Sequence, residues 1–149
     1  MNQTATVDAA PAQALAVTLV DGEDDANVLA RLLKKHIEDI AAEDPGKARA
    51  AAAIHGKLGL YSTDPEALVT LAFQDDGIVI KNGFDADLDG AITGPLKLQT
   101  EALVGLANPY TAMLRRRLKV RVKWSRPLFT LQTYSFLKVP PSMRPPRPS

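Results

Sequence analysis

Residues 57–81 read KLGLYSTDPEALVTLAFQDDGIVIK, and this stretch decides the fold. Lys57 to Thr63 has the composition of a strand, Asp64-Pro65 that of a turn, and Ala67 to Gln74 that of a second strand rich in β-formers. Asp75-Asp76-Gly77 carries the Asp-Gly signal that joins antiparallel strands, so Ile78 to Lys81 reads as the third. Ala86 to Thr93 would be a fourth, with Leu88 and Ile92 on one side if it is regular.

Upstream, the period changes. Val28, Leu29, Leu32, Leu33, Ile37 and Ile40 recur at helical spacing behind Asp24 and Asp25, which are candidate caps. Asp44-Pro45 then opens a short alanine-rich helix over 46–54 that stops near Gly56. Downstream of Gly94-Pro95 the helical spacing returns with Leu96, Leu103, Leu106 and Ala107. Asn108-Pro109 breaks that helix, and Tyr110 to Arg116 supplies a short successor. Leu118, Val120, Val122 and Trp124 next alternate with Lys119, Arg121 and Lys123, a strand with one oily and one basic face. Pro127 to Val139 is apolar and open to more than one reading, with a final helix favoured over the others. This order predicts an α+β protein with helices covering one face of a mostly antiparallel sheet.

The organisation expected is a loose N-terminal arm over 1–22, one domain over 23–139, and a tail over 140–149 with 5 prolines in 10 residues, extended or disordered. A chain of 149 residues with 46% hydrophobic and 23% charged content suits a single globular unit. Cysteine is absent, which removes disulfides and thiolate chemistry and suits a reducing compartment. Met1-Asn2-Gln3-Thr4 lacks the positive region of a secretory signal, and the longest uncharged runs, 9–20 and 102–114, are too short to span a membrane. A soluble, cytoplasmic protein is expected.

The net charge of +1 conceals an asymmetry. Residues 1–110 hold 8 basic against 17 acidic side chains, and residues 111–149 hold 10 against none. Such a division marks either contact with a polyanion or membrane surface, or two segments that compensate each other in the fold. The cluster Arg115, Arg116, Arg117, Lys119, Arg121, Lys123 and Arg126 would suit nucleic acid only with exposed aromatic residues interleaved. Trp124 falls in the oily set, which favours a solvated strand face or a docking patch for anionic lipid headgroups.

Motifs for chemistry are missing. Asp85-Ala86-Asp87-Leu88-Asp89-Gly90 imitates the opening of a calcium loop, but Leu96 stands where the bidentate Glu belongs. His36 and His55 lack a catalytic partner motif, and His36 reads as a core-edge residue. No nucleophile elbow, phosphate loop, dinucleotide fingerprint or zinc helix is present. No metal, cofactor or catalytic residue is expected, and the chain does not read as a free-standing enzyme.

The stretch from Lys57 to Val139 resembles the sterol-carrier-protein type-2 family in the order of its parts. The likeness rests on Gly77-Ile78-Val79-Ile80-Lys81-Asn82-Gly83, Asp87-Leu88-Asp89-Gly90-Ala91-Ile92-Thr93-Gly94, Leu103-Val104-Gly105-Leu106-Ala107-Asn108-Pro109 and Leu118-Lys119-Val120-Arg121-Val122. With the N-terminal helices it spans about three quarters of the chain. The resemblance implies a five-stranded sheet with helices over one face and an apolar tunnel between them for a sterol, fatty acid or acyl derivative. Carried over by position, the lipid-binding lining comes from Leu103, Leu106, Tyr110, Met113, Leu114, Val120, Val122, Trp124, Leu128 and Phe129, against ordinary core packing as the alternative for each. Arg115, Arg116, Arg117, Lys119, Arg121 and Lys123 would serve membrane docking from the face opposite the tunnel.

Two departures stand out. Family members usually carry Gly-Lys before the last strand and Gly after it, where this chain has Arg116-Arg117 and Lys123-Trp124-Ser125; Trp124 would reshape the cavity. The ending Arg147-Pro148-Ser149 is not a peroxisomal address. The expected function is binding and transfer of an apolar lipid. The alternative is an accessory subunit that presents an apolar substrate to a partner enzyme or docks on one, and a nucleic-acid-binding module ranks third.

Overall fold

The computed structural model describes residues 15–75 and 77–139. Residues 1–14, Asp76 in the predicted turn, and the proline-rich stretch 140–149 lie outside the described residues. Among those described, the strands are β1 (Val17–Leu19), β2 (Gly56–Thr63), β3 (Glu66–Gln74), β4 (Gly77–Asn82), β5 (Gly90–Gly94) and β6 (Lys119–Val122). The helices are α1 (Gly22–Asp25), α2 (Val28–Glu43), α3 (Pro45–Ala51), α4 (Leu96–Val104), α5 (Pro109–Leu114) and α6 (Phe129–Leu137). No helix among the described residues is long and apolar enough to cross a membrane.

The strands form one mixed sheet in the order β1-β4-β3-β2-β5-β6. This corrects the expected five strands to six, in a mixed sheet in which three of the five pairings are antiparallel. The hairpins β2–β3 and β3–β4 and the pair β5–β6 are antiparallel, whereas β1–β4 and β2–β5 are parallel. The sixth strand comes from the expected N-terminal arm: Val17 pairs with Ile78 and Leu19 with Ile80, and Leu19 is buried against the core. The parallel β2–β5 pair follows from the 83–89 connection, which crosses the sheet and delivers Gly90 beside Leu58.

Pairing register puts Leu58, Leu60, Val69, Leu71, Phe73, Ile78 and Ile80 on one face, all buried. Against it pack Leu29, Ala30, Leu33 and Ile37 of α2 and Phe129, Phe136 and Leu137 of α6. Phe73 meets the two phenylalanine rings of α6 edge-on, at 6.3 Å from Phe129 and 5.9 Å from Phe136. The cap of α2 is Asn27, not Asp24 or Asp25: its Oδ1 accepts from Ala30 N at 2.8 Å, and its Nδ2 donates to Leu68 O at 3.0 Å. Asp44 caps α3 as expected, accepting from the backbone N–H groups of Gly46 and Lys47.

The opposite face is covered in part by the 83–89 connection. A Cβ on Gly59 would stand 2.7 Å from Leu88 Cδ1 and 2.9 Å from Phe84 Cε1, so the glycine leaves room for these two side chains to lie against β2. The strand expected from Ala86 therefore begins at Gly90, and Leu88 sits on the face opposite Ile92, not beside it. Thr70 Oγ1 fastens the loop by donating to Gly83 O and accepting from Asp85 N. The carboxylates of the calcium-like run are engaged by cations: Asp85 by Lys57 and Lys81, Asp87 by Lys57, and Asp89 by Arg126 at 3.4 Å and Lys123 at 3.7 Å. Hydrogen bonds from Lys81 and Lys57 hold Asp85 below the usual carboxylate range, and the bond from Lys57 does the same for Asp87.

Candidate functional site

The helices do not close over the whole sheet. Leu60, Ile92 and Val120 stand side by side across β2, β5 and β6, since Leu60 pairs with Ile92 and Ile92 with Val120. This row is the floor of a cavity of about 250 Å³. Its walls are Ala102 and Leu103 of α4, Pro109, Tyr110 and Met113 of α5, Leu118, and Thr130, Leu131, Tyr134 and Leu137 of α6, with Val122 and Pro127 at one end. The cavity lies where two packed cores meet: the main one, which holds Leu60 and Leu137, and a smaller one of Leu98, Ala112 and Leu118, with Ile92 touching both. Neither core fills the gap between them.

Polar lining groups are turned toward protein. Gln99 Nε2 donates to Tyr61 O and Gly94 O, both at 2.9 Å, and the Tyr134 hydroxyl donates to Ala102 O at 3.4 Å. Thr130 Oγ1 is buried and makes no hydrogen bond. It presses on β5 at Gly90, where a Cβ would come within 2.2 Å of it. Such a chamber offers apolar contact and few directional bonds, which suits a hydrocarbon ligand. A second cavity of about 250 Å³, between α2 and α4, shares Gln99 and Leu103 with the first.

The lining expected from sequence divides. Leu103, Tyr110, Met113, Val120 and Val122 border the cavity. Leu106, Leu114, Trp124 and Leu128 are exposed instead: α4 ends at Val104, α5 ends at Leu114, β6 stops at Val122 and α6 begins at Phe129. Trp124 thus lies beyond the strand and is 96% exposed, so it does not reshape the cavity. Phe129 is buried in the main core against Phe73 and Arg126, away from the lining. Sequence reasoning missed Leu60, Ile92, Ala102, Leu118, Thr130 and Tyr134; alternation through Gly90, Ile92 and Gly94 is the signal that would have marked Ile92.

The basic set is exposed throughout. Arg121 and Lys123 border a hollow with Phe84, Asp85 and Asp87 on the loop-covered face, and Lys119, two residues before Arg121 in β6, shares that side. Arg115, Arg116 and Arg117 occupy the turn from α5 to β6. Lys123 pairs with Asp89, but Arg115, Arg116, Arg117, Lys119 and Arg121 form no ion pair among the described residues. Acidic side chains of the N-terminal part pair with Lys34, Lys35, His55, Lys57, Lys81, Lys123 and Arg126. The two halves of the chain therefore do not neutralise one another through those five cations.

The last helix is fixed at its far end by the N-terminal helices. Lys47 Nζ donates to Ser135 O at 3.0 Å and also to Phe136 O and Lys138 O, while His36 Nε2–H donates to Leu137 O at 2.7 Å. These bonds satisfy carbonyls that a helix end leaves open. Burial holds His36 below its ordinary pKa of 6.5, against the opposing pull of its bond to Leu137.

No protein-family model matches the sequence, and no curated protein matches it either. Solved structures do. The structure named UbiJ-SCP2 ubiquinone synthesis protein matches with a TM-score of 0.55 at 11% identity, covering 74% of this chain and 93% of its own. The sterol carrier protein domain 2 of Helicoverpa armigera matches at 0.56 and 12%, covering 75% and 90%. The inverting sec-alkylsulfatase Pisa1 from Pseudomonas sp. matches at 0.59 and 11%, with 83% of this chain laid on only 17% of that enzyme. At such identities the likeness is one of architecture, and it agrees with the element order and the helix-covered face. This chain has the fold of sterol carrier protein 2.

Proposed function

We propose that the protein binds an apolar lipid, a sterol, fatty acid or acyl derivative, in the cavity over Leu60, Ile92 and Val120, and carries it without changing it chemically. The observation that supports this is the cavity itself. Its lining is apolar, the polar groups of Gln99 and Tyr134 are occupied by backbone carbonyls, and exposed lining residues at Tyr110, Met113, Val122 and Leu131 leave it open to the surface. Neighbours named as sterol carriers share the fold. Residence in the cytoplasm, without cofactor or metal, belongs to the same proposal.

A second reading has its own support. One structural neighbour is named as a ubiquinone synthesis protein, and in the sulfatase the fold is a small part of a larger enzyme. A protein of this architecture that presents an apolar substrate to a partner enzyme would need the same cavity.

The test is native mass spectrometry of the purified chain, followed by titration of the delipidated protein with a fluorescent fatty acid. The expected result is a mass increment that organic extraction removes, and probe binding near one per chain that unlabelled long-chain lipid displaces. Delipidated, folded protein that binds neither probe nor lipid would sink both readings. A carrier hands its lipid to acceptor vesicles unaided, whereas a presenting subunit retains it until the enzyme is added.

A further inference from the structure

β6 ends the sheet on one side, with β5 along one of its edges and, among the described residues, no strand along the other. Lys123 N donates to Asp89 O at 3.2 Å, and a Cβ on Gly90 would stand 3.3 Å from Arg121 O. In this register Lys119, Arg121 and Lys123 turn their backbone groups toward β5. An antiparallel strand alternates the side on which it bonds, so Val120 and Val122 point their N–H and C=O groups to the open edge. Among the described residues neither makes a backbone bond there. An open edge is where a further strand can pair.

The side chains divide by the same alternation. Val120 and Val122 border the cavity, whereas Lys119, Arg121 and Lys123 stand on the loop-covered face. Lys119 and Arg121 form no ion pair among the described residues, and the carboxylates that share a hollow with Arg121, Asp85 and Asp87, are engaged by Lys57 and Lys81. A Cβ on Gly94 would stand 3.1 Å from Arg117 O, which puts the turn of Arg115, Arg116 and Arg117 at the start of this edge. The uncompensated charge therefore runs from that turn along one face of β6.

We propose that the open edge of β6 receives an extended segment of a partner protein as an added strand, with side chains that alternate between acidic and apolar. Its backbone bonds to Val120 and Val122, its carboxylates lie beside Lys119 and Arg121, and its apolar side chains continue the row of Leu60, Ile92 and Val120. A second copy of β6 would set cations against cations. The chain's own ends do not supply the segment: residues 1–14 hold one carboxylate, Asp8, and residues 140–149 hold none and 5 prolines, which lack the N–H a strand donates. A polynucleotide or a lipid headgroup would meet the cations but offers Val120 and Val122 no ladder of alternating donors and acceptors. The proposal adds a contact to the reading of a presenting subunit, and it stands whether or not the cavity holds lipid.

The probe is a fluorescein-labelled peptide of about six residues alternating valine and glutamate, blocked at both ends and long enough to span β6. Added to the isotope-labelled full chain, it should slow hydrogen exchange about tenfold or more at the amides of Val120 and Val122 and little at those of Lys119 and Arg121, which already bond to β5. Binding should weaken as salt rises. Methylating the peptide nitrogens that face the edge should weaken it about fivefold or more, and a peptide with the same glutamates in one block should bind less well than the alternating one. Lys119→Glu with Arg121→Glu, checked for folding by its melting curve, should shift the preference to a valine–lysine peptide. No binding at about 1 mM peptide, equal protection at Lys119, Val120, Arg121 and Val122, equal affinity for the alternating and block peptides, or preference for single-stranded RNA or phosphatidylglycerol vesicles over the peptide would each overturn the proposal. Fatty-acid probe binding, measured without peptide in the same preparations, separates a failure at this edge from a failure of the cavity.

Discussion

The size of the cavity predicts how affinity should climb with ligand length. Taking about 30 Å³ for a water-sized group, a space of about 250 Å³ takes about eight methylenes. Each methylene moved from water into an apolar site contributes about 0.8 kcal/mol, close to fourfold in affinity. A series of straight-chain carboxylic acids, read by displacement of a fluorescent probe, should therefore gain about fourfold per methylene until about eight are buried, and then level off. Two substitutions move the plateau in opposite directions. Ala102 is buried in α4 and lines the cavity, so Ala102→Leu fills about three of the methylene positions and brings the plateau correspondingly shorter. Leu103 lines both this cavity and the one between α2 and α4, so Leu103→Ala should join them and extend the climb to longer chains. A gain below about twofold per methylene, or a plateau that neither substitution shifts, would refute the assignment of the ligand to this space.

Other consequences concern the frame around the cavity. Gly90→Ala places a Cβ 2.2 Å from Thr130 Oγ1 and should cost about 1–3 kcal/mol in urea unfolding; Thr130→Ala should recover most of that loss and Thr130→Val should not, a coupling that a double-mutant cycle measures. Asn27→Ala removes the α2 cap together with the bond to Leu68 O and should lower stability by about 1–2 kcal/mol, read in the same assay. His36 has a folded pKa below its unfolded value of 6.5, so the unfolded chain binds more protons in between. Stability is then complete above pH 6.5 and falls as the pH drops through the folded pKa; the melting temperature should decline on that acid side, and His36→Gln should flatten the decline.

Sequence reading reached the hairpins and the main helices because each carries its own period between local punctuation. β2, β3 and β4 are bounded by Asp64-Pro65 and Gly77, and α2 displays Leu29, Leu33, Ile37 and Ile40 on one side. β1 was not legible: it has three residues, lies in an uncharged Ala- and Val-rich stretch, and is paired in parallel with a strand about sixty positions later, which no local signal encodes. β5 was read too early because Ala86 to Asp89 looks like more strand, while Leu88 lies on the opposite face against the bare Cα of Gly59, a contact between strands that no local pattern states. The residues carried over by position border the cavity where an element continues regularly, at Leu103 and Val120, and lie exposed at the last residue of α5, Leu114, and past element ends, at Leu106 and Trp124. Where a chain leaves its helix or strand, periodicity no longer states which way a side chain points.

The two ends of α6 are held very differently, and that difference bears on how a ligand enters. At the far end, Lys47 and His36 occupy the carbonyls of Ser135, Phe136 and Leu137, and Phe136 and Leu137 are buried in the main core. At the near end, Leu128 makes no side-chain cap, Leu128 and Leu131 are exposed, and Thr130 keeps a buried hydroxyl without a hydrogen bond. Local opening begins where buried contacts and satisfied bonds are fewest. The near end of α6 and the exposed Tyr110 and Met113 of α5 both border the mouth of the cavity, whereas the floor is a row of paired strands. Drug-sized ligands occupy pockets of about 300–1,000 Å³, more than the roughly 250 Å³ between these walls. Enlargement therefore falls to α5 and the first turn of α6 rather than to the sheet. Those segments end in the exposed Leu114 and begin beside the exposed Leu128, so they have the fewest buried contacts to break.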